Sequence, residues 1–139
     1  MKPVRHLATS AAVSGALYTL TGDTELSLAS FVSGVLLDVD HIPDYLAQPR
    51  RSRSVSDFVQ TCLGRQLDRA YLVLHAWELL IGAALLTAFT GYGSIPLGLL
   101  AGFLHHMLLD HIGNRVHPFG YSLLWRASKR FDYGAAFPE

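Results

Sequence analysis

His6, the run Asp38-Val39-Asp40-His41, the pair His75 and Glu78, and the run His105-His106 with Asp110 and His111 are the residues whose types and spacing can do chemistry in this sequence. Imidazole nitrogen and carboxylate oxygen together suit divalent Zn, Mn or Fe, and the same groups serve as general acids and bases. The lone cysteine, Cys62, excludes a four-cysteine or C-x-x-C zinc site and an internal disulfide. Any metal therefore rests on His and carboxylate. Other chemistries lack their parts: there is no H-E-x-x-H, G-x-S-x-G, Walker loop or G-x-G-x-x-G. D-V-D-H-I-P-D (38 to 44) lacks the glycine and terminal Glu of a calcium loop. His117, beside Pro118, reads as a hydrogen-bonded loop residue.

The elements that must position these groups show in the charge pattern. Eleven Lys and Arg balance eleven Asp and Glu, so the overall charge gives no reason to expect nucleic acid as a partner. The basic residues fall in three clusters: Lys2 and Arg5; Arg50, Arg51, Arg53, Arg65 and Arg69; Arg115, Arg126, Lys129 and Arg130. Two long blocks between them hold neither Lys nor Arg, and each divides at a polar or glycine-rich point, T-G-D-T-E (21 to 25) and T-G-Y-G-S (90 to 94). Each block reads as a helical hairpin. The arms are 7–21, 25–42, 71–89 and 95–112. Long runs rich in Ala and Leu, without period-two alternation, favour helix over strand. Pro43 is expected to end the second arm, and Pro96 to sit in the first turn of the fourth, where a missing N–H costs least.

The expected fold is all-α: a single domain over 1–139, an antiparallel four-helix bundle made of hairpin 6–49, a basic linker 50–69, hairpin 70–114 and a basic C-terminal segment 115–139. Arms of about 15 to 20 residues reach about 22 to 30 Å, short to adequate for a bilayer. Mean hydropathy is positive. If the arms cross a membrane, both tips lie on one side without Lys or Arg and every basic residue lies on the other, which places both termini in the cytoplasm. The competing expectation is a soluble cytoplasmic bundle with a very apolar core. A cleavable leader at Lys2 and Arg5 is not expected, because no A-x-A site follows.

In an up-down-up-down bundle all four polar clusters fall at the same end. Gly98, Gly102, His106 and Asp110 recur every four residues. So do Ser30, Gly34 and Asp38, and His6, Ser10 and Ser14. Each set forms a stripe of small residues with polar groups at its end. Carboxylates buried among apolar helices cost several kcal/mol each unless a positive charge compensates, and no Lys or Arg lies within these segments. A divalent cation is the economical counter-charge, as one ion or as two about 3.5 to 4 Å apart.

The motifs resemble those of the bacterial membrane-bound, metal-dependent hydrolases induced in the SOS response. G-V-L-L-D-V-D-H (34 to 41) is similar to their L-P-D-x-D-H, and G-F-L-H-H-M-L-L-D (102 to 110) to their G-x-x-S-H-x-x-x-D. His6 matches an N-terminal His, and H-P-F-G-Y-S-L-L-W-R (117 to 126) resembles the closing P-F element. The family's H-R-x-x-T-H-S survives only as L-H-A-W-E, which keeps His75, loses the Arg and Ser, and adds Glu78. His105 stands where the family often has Ser. The resemblance implies an inner-membrane protein with His6, Asp38, Asp40, His41, His75, His106 and Asp110 as metal ligands.

The expected function is metal-dependent hydrolysis at the cytoplasmic face, on a phosphoester or phospholipid-type substrate, with Zn as the leading ion. Glu78 is expected as general base or as a group that orients a metal ligand, with His105 and His111 as further catalytic or substrate-contacting groups. Membrane lipid is the expected partner, the basic linker and the tail around Trp125 lying on anionic headgroups. The alternative is a non-catalytic metal-binding bundle or a component of metal or ion transport.

Overall fold

A computed structural model of the protein describes residues 3–49, 54–64 and 66–138. Lys2, Arg50, Arg51, Arg53 and Arg65 of the basic clusters lie outside the described residues. The described chain is all-helical. α1 (Pro3–Thr21) and α2 (Thr24–Leu36) form the first hairpin, and α2 runs on through a 3-10 turn (Leu37–Asp40) into α3 (His41–Leu46). α4 (Val55–Leu63) follows, then α5 (Trp77–Phe89) and α6 (Ser94–Gly113) form the second hairpin. Short helices α7 (Leu123–Ser128) and α8 (Tyr133–Ala136) close the chain.

Both hairpin tips are built on glycine in the left-handed region, Gly22 at φ 68° and Gly91 at φ 85°, where a side chain would be strained. Asp23 then caps α2 by accepting the Leu26 amide at 3.0 Å. Pro96 lies in the first turn of α6, as its missing N–H requires. Pro43 does not end the second arm. It occupies the first turn of α3, a position that also needs no N–H donor.

Packing is unequal among the four long helices. α2 and α6 form the most extensive contact, α1 lies against both, and α5 packs on α6. The small-residue stripes meet where they were expected. A Cβ at Gly98 would overlap the Leu26 carbonyl, and one at Gly102 would overlap the Ser30 carbonyl and stand 2.8 Å from the Ser33 Cβ. The helix axes approach this closely only because glycine faces serine. Ser10, Ser27 and Ser30 are buried in this seam while Leu28, Leu85, Leu86 and Phe89 face outward.

The third arm begins at Trp77, not at residue 71. The reason is a set of side chains that takes over the backbone bonds of 68–75. Asp40, Asp44 and Gln48 recur every four residues and so share one helix face. The Asp44 carboxylate accepts the amides of Tyr71 at 2.7 Å and Leu72 at 3.1 Å, and Gln48 Oε1 accepts that of Asp68 at 3.0 Å. Arg126, wholly buried, donates from one nitrogen to the carbonyls of Leu72 and His75 at 2.9 and 3.1 Å. With these groups satisfied off the helix ladder, the segment stays out of helix, bending at Val73 to His75, and Leu72 takes φ 40°. Around it lies a conventional apolar core of Leu37, Ala70, Leu72, Met107, Tyr121 and Phe137.

Candidate metal centre

Three helix ends and the non-helical segment bring the polar clusters together at one pole. His6 comes from the first turns of α1, Asp38 from the turn after α2, His41 from the start of α3, His75 from the residues before α5, and His106 and Asp110 from the last turns of α6. Asp38 Oδ1 lies 3.5 Å from His106 Nε2 although 68 positions separate them in the chain. Two groups emerge whose donor atoms all lie within 4.8 Å of one another: His6, His106 and Asp110, all buried, and Asp38, His41 and His75, of which His75 is buried.

The protons of the two central imidazoles fix what their remaining nitrogens can do. His106 Nδ1 lies 2.8 Å from the Gly34 carbonyl oxygen, which can only accept, so this nitrogen carries the hydrogen. His75 Nδ1 lies 3.3 Å from Asp40 Oδ2, again an acceptor. In the neutral rings both Nε2 atoms are therefore bare lone pairs, and they face each other at 3.1 Å. Asp110 Oδ2 stands 3.6 Å from His75 Nε2 and 3.9 Å from His106 Nε2. Acceptors converging on one another with their protons turned outward could hold a metal ion.

His6 strengthens this reading. Its ring stacks on His106 with centroids 4.1 Å apart. Its Nε2 approaches Asp110 Oδ1 to 3.0 Å, yet without the alignment of a hydrogen bond, and both of its buried nitrogens are left without a hydrogen-bond partner. Two donor atoms beside each other but not aimed at each other suit joint ligation. His41 Nε2 is 3.8 Å from Asp38 Oδ1, and its Nδ1 is likewise unpartnered. The donor set of imidazole and carboxylate fits a borderline divalent ion in each group.

The other expected residues are placed differently. Asp40 is buried beside the cluster, but its Oδ2 accepts the amides of Leu74 at 2.7 Å and His75 at 3.3 Å as well as His75 Nδ1. It orients His75 and falls in neither donor group. Glu78 is turned away to α7: its carboxylate accepts the Ser122 hydroxyl at 2.5 Å and the amides of Leu123 and Leu124 at 2.9 and 3.2 Å. Burial alone would raise its pKa, but these bonds outweigh it and hold it at about 2. The carboxylate is thereby tied to the start of α7 and stands in neither donor group.

His105 lies between α6 and its neighbours. It is within 3.4 Å of the Ala101 carbonyl through Nδ1, so its Nε2 accepts the Ser10 hydroxyl at 3.1 Å, and Gly34 leaves the room for its ring. His111 is exposed, with Trp77 and Tyr121 as ring neighbours. Neither belongs to the two groups. His117 is a loop residue as expected, accepting the Phe119 amide at 3.1 Å and stacking on Trp125.

Sequence reasoning missed four contributors. Asp44 and Gln48 extend the Asp40 register, a spacing visible in the chain. Arg126 and Tyr121 come from the C-terminal segment, and nothing local marks them. Tyr121 is buried, and desolvation with the Asp110 carboxylate pushes its phenol well above the ordinary range. It remains a donor, 3.4 Å from Asp110 Oδ2, while accepting Asn114 Nδ2 at 3.0 Å.

No protein-family model, curated protein or solved structure matches the chain.

Proposed function

We propose that this protein is a membrane-associated, metal-dependent phosphoester hydrolase, with two divalent ions, Zn foremost and Mn or Fe as alternatives. Its helical arms would act as a membrane bundle with the centre at the cytoplasmic face. The observation that carries the metal is the close approach of the Nε2 atoms of His75 and His106, 3.1 Å apart, with Asp38 and Asp110 carboxylate oxygens beside them. The hydrolase class follows the motif resemblance. Membrane association is supported by two segments long and apolar enough to cross a bilayer, Thr24–Leu46 and Ser94–Gly113. At 23 and 20 residues they reach about 34 and 30 Å, matching a hydrocarbon core of about 30 Å.

His6, His106 and Asp110 would hold one ion, and Asp38, His41 and His75 the other. Bound ions of this kind lower the pKa of a coordinated water toward about 7 and polarise the phosphoryl group. In the overall reaction water oxygen bonds to phosphorus, the ester P–O bond breaks, and the departing alkoxide takes a proton. The chain's own residues prepare this. Asp40 and the Gly34 carbonyl lock both central rings in the tautomer that presents Nε2, and Tyr121 fixes the Asp110 carboxylate. A cavity beside the cluster, lined by Asp38, His41, His75 and Asp110 among others, supplies space that a purely structural ion would not need.

Elemental analysis of detergent-purified protein tests the metal. The parent should carry roughly one to two equivalents, and His106→Ala and Asp38→Ala should each lose most of them. Full retention by both would end the assignment. Metal without turnover on phosphomonoester, phosphodiester, ester and amide substrates would favour the non-catalytic or transport alternative.

A further inference from the structure

The cavity that shares Asp38, His41, His75 and Asp110 with the candidate centre has a volume of about 650 Å³, within the range of small-molecule sites. Only part of its wall is polar. Leu36, Val39 and Ile42 line it from the turn between α2 and α3, and Phe58, Val59 and Leu63 line it from α4. The α4 wall is fixed in place: Tyr45 donates its hydroxyl to Asp57 Oδ2 at 2.6 Å and meets the Phe58 ring edge-on at 5.2 Å. Arg5 is the one Lys or Arg among the described lining residues.

Several of these apolar residues are exposed as well as lining: Leu36, Val39 and Ile42 on one side, Val59 at 44% and Leu63 at 50% on the other. A wall that is both apolar and exposed marks the mouth of the cavity. Leu28, Val32 and Leu36 follow one another at four-residue spacing along α2, all exposed. The mouth therefore continues an apolar ridge on the outer face of a helix long enough to lie in a bilayer. A water-soluble phosphoester would gain nothing from such walls, whereas a hydrocarbon chain would bury itself along the whole route.

From this continuity we infer that the cavity binds the long apolar chain of a membrane amphiphile, admitted from the bilayer between α2–α3 and α4, with its phosphate head held by Arg5 at the imidazole and carboxylate cluster. This deepens the hydrolase reading and rests on it only for the reacting bond. A bilayer phospholipid and a free alkyl phosphate share this chemistry.

Cys62 lines the same cavity from α4 and is the chain's single thiol, so its labelling by a maleimide reports occupancy without turnover. The metal-loaded full chain in phosphatidylcholine nanodiscs is challenged with ethyl-, octyl- and dodecylphosphonate, which cannot be hydrolysed. Each buried methylene strengthens binding roughly fourfold. Dodecylphosphonate should slow labelling by about tenfold or more, octylphosphonate less, and ethylphosphonate not at all. Val59→Asp, and separately Leu63→Gln, both at exposed positions that tolerate change, should remove most of the protection. Arg5→Gln should weaken protection by dodecylphosphonate but not by dodecanol.

Equal protection by all three phosphonates, protection by none, or full protection in both wall variants would overturn the inference. Phosphatidic acid placed in the nanodisc supports a bilayer source if it protects, and dodecylphosphonate protecting alone supports the free amphiphile. Hydrolysis of ethyl phosphate without protection by dodecylphosphonate removes the chain site and leaves the hydrolase. Protection without hydrolysis of dodecyl phosphate does the reverse.

Discussion

The two halves of this molecule are packed by opposite rules. Where α1, α2 and α6 meet, the interior is Ser10, Ser14, Ser27, Ser30, Gly34, Gly98 and Gly102, ending in His6, His106 and Asp110, while the outer faces carry Leu20 at 82%, Leu28 at 60% and Leu99 at 45% exposure. Where residues 67–77 meet the C-terminal segment, the interior is Leu72, Met107, Tyr121 and Phe137. The second region is held as soluble proteins are, by removing apolar surface from water. The first buries small and polar residues and leaves apolar ones outside. Close approach of small residues and interhelical polar contacts hold helices when the surroundings are themselves hydrocarbon. The candidate centre lies on the boundary and draws ligands from both.

If that contrast is real, substitutions of opposite kind should do the damage in each half. Gly102→Leu should be the most harmful change to the seam, because its Cβ would overlap the Ser30 carbonyl and crowd Ser33. The expected loss is about 3 kcal/mol or more, and bound metal should fall with it as α6 parts from α2. In the other half the harmful direction is reversed: Leu72→Ala, which empties a fully buried site, should cost about 2 to 5 kcal/mol. Unfolding in mild detergent, followed with and without a chelator, measures both. Equal tolerance of Gly102→Leu and of an exposed substitution would refute the tight seam.

The outer face offers a second, somewhat smaller test. Leu104, near the middle of α6 and partly exposed, contributes little to the seam. Leu104→Lys in an aqueous protein should change stability by no more than about 0.5 kcal/mol. At the centre of a lipid-facing helix it should cost about 2.5 to 3.5 kcal/mol. Membrane fractionation of the variant beside the parent, with an alkaline wash, separates the two. A variant that stays soluble, folded and unchanged would mean the helices sit in water.

Much of the seam half was readable in the chain because its signals are local and periodic. The gap between basic clusters, the glycine tips at 22 and 91, and the four-residue stripes each specify a helix or the face it buries. The convergence of Asp38 with His106 followed from hairpin connectivity alone. The other half was not readable, for a physical reason. Residues 71–76 have a composition that suits a helix, but their backbone bonds are captured by Asp40, Asp44 and Arg126, the last of them more than fifty positions away. Long-range capture of this sort leaves no period in the sequence. The same cause hid the partners of Glu78: it stands one turn from His75 in the chain, whereas Ser122 to Leu124, which its carboxylate bonds, lie more than forty positions away.

Coupling between the halves should show at Arg126. Its guanidinium is buried, which depresses its pKa, with Asp40 and Asp44 acting the other way, and it reaches the centre only through the carbonyls of Leu72 and His75. Arg126→Met keeps the packing volume and removes both bonds. Metal affinity should weaken by about 10- to 100-fold, the usual effect of losing an outer partner of a ligand, while the helical content of the seam is retained. Competition with a coloured chelator measures the first and circular dichroism the second. Unchanged affinity would mean that the two halves are energetically independent at this joint.

The smallest effect is expected at Glu78, and acid brings it out. The folded-state pKa is about 2 against an ordinary value of 4.5, so the carboxylate is favoured by folding. Its contribution is complete above about pH 4.5 and is lost as the pH falls from there through about 2. The site is only half-buried, and solvent screening limits the gain to about 1 kcal/mol or less. Trp77 precedes Glu78 in the chain and Trp125 lies on α7, so the two tryptophans bracket the Ser122 link. Their fluorescence in chelated protein, where metal loss cannot intrude, should change across that acid window in the parent. Glu78→Gln should be slightly weaker at neutral pH and flat below it. Parallel acid profiles for parent and variant would show that the tether to α7 adds nothing, leaving the non-helical segment held by Asp40, Asp44 and Arg126 alone.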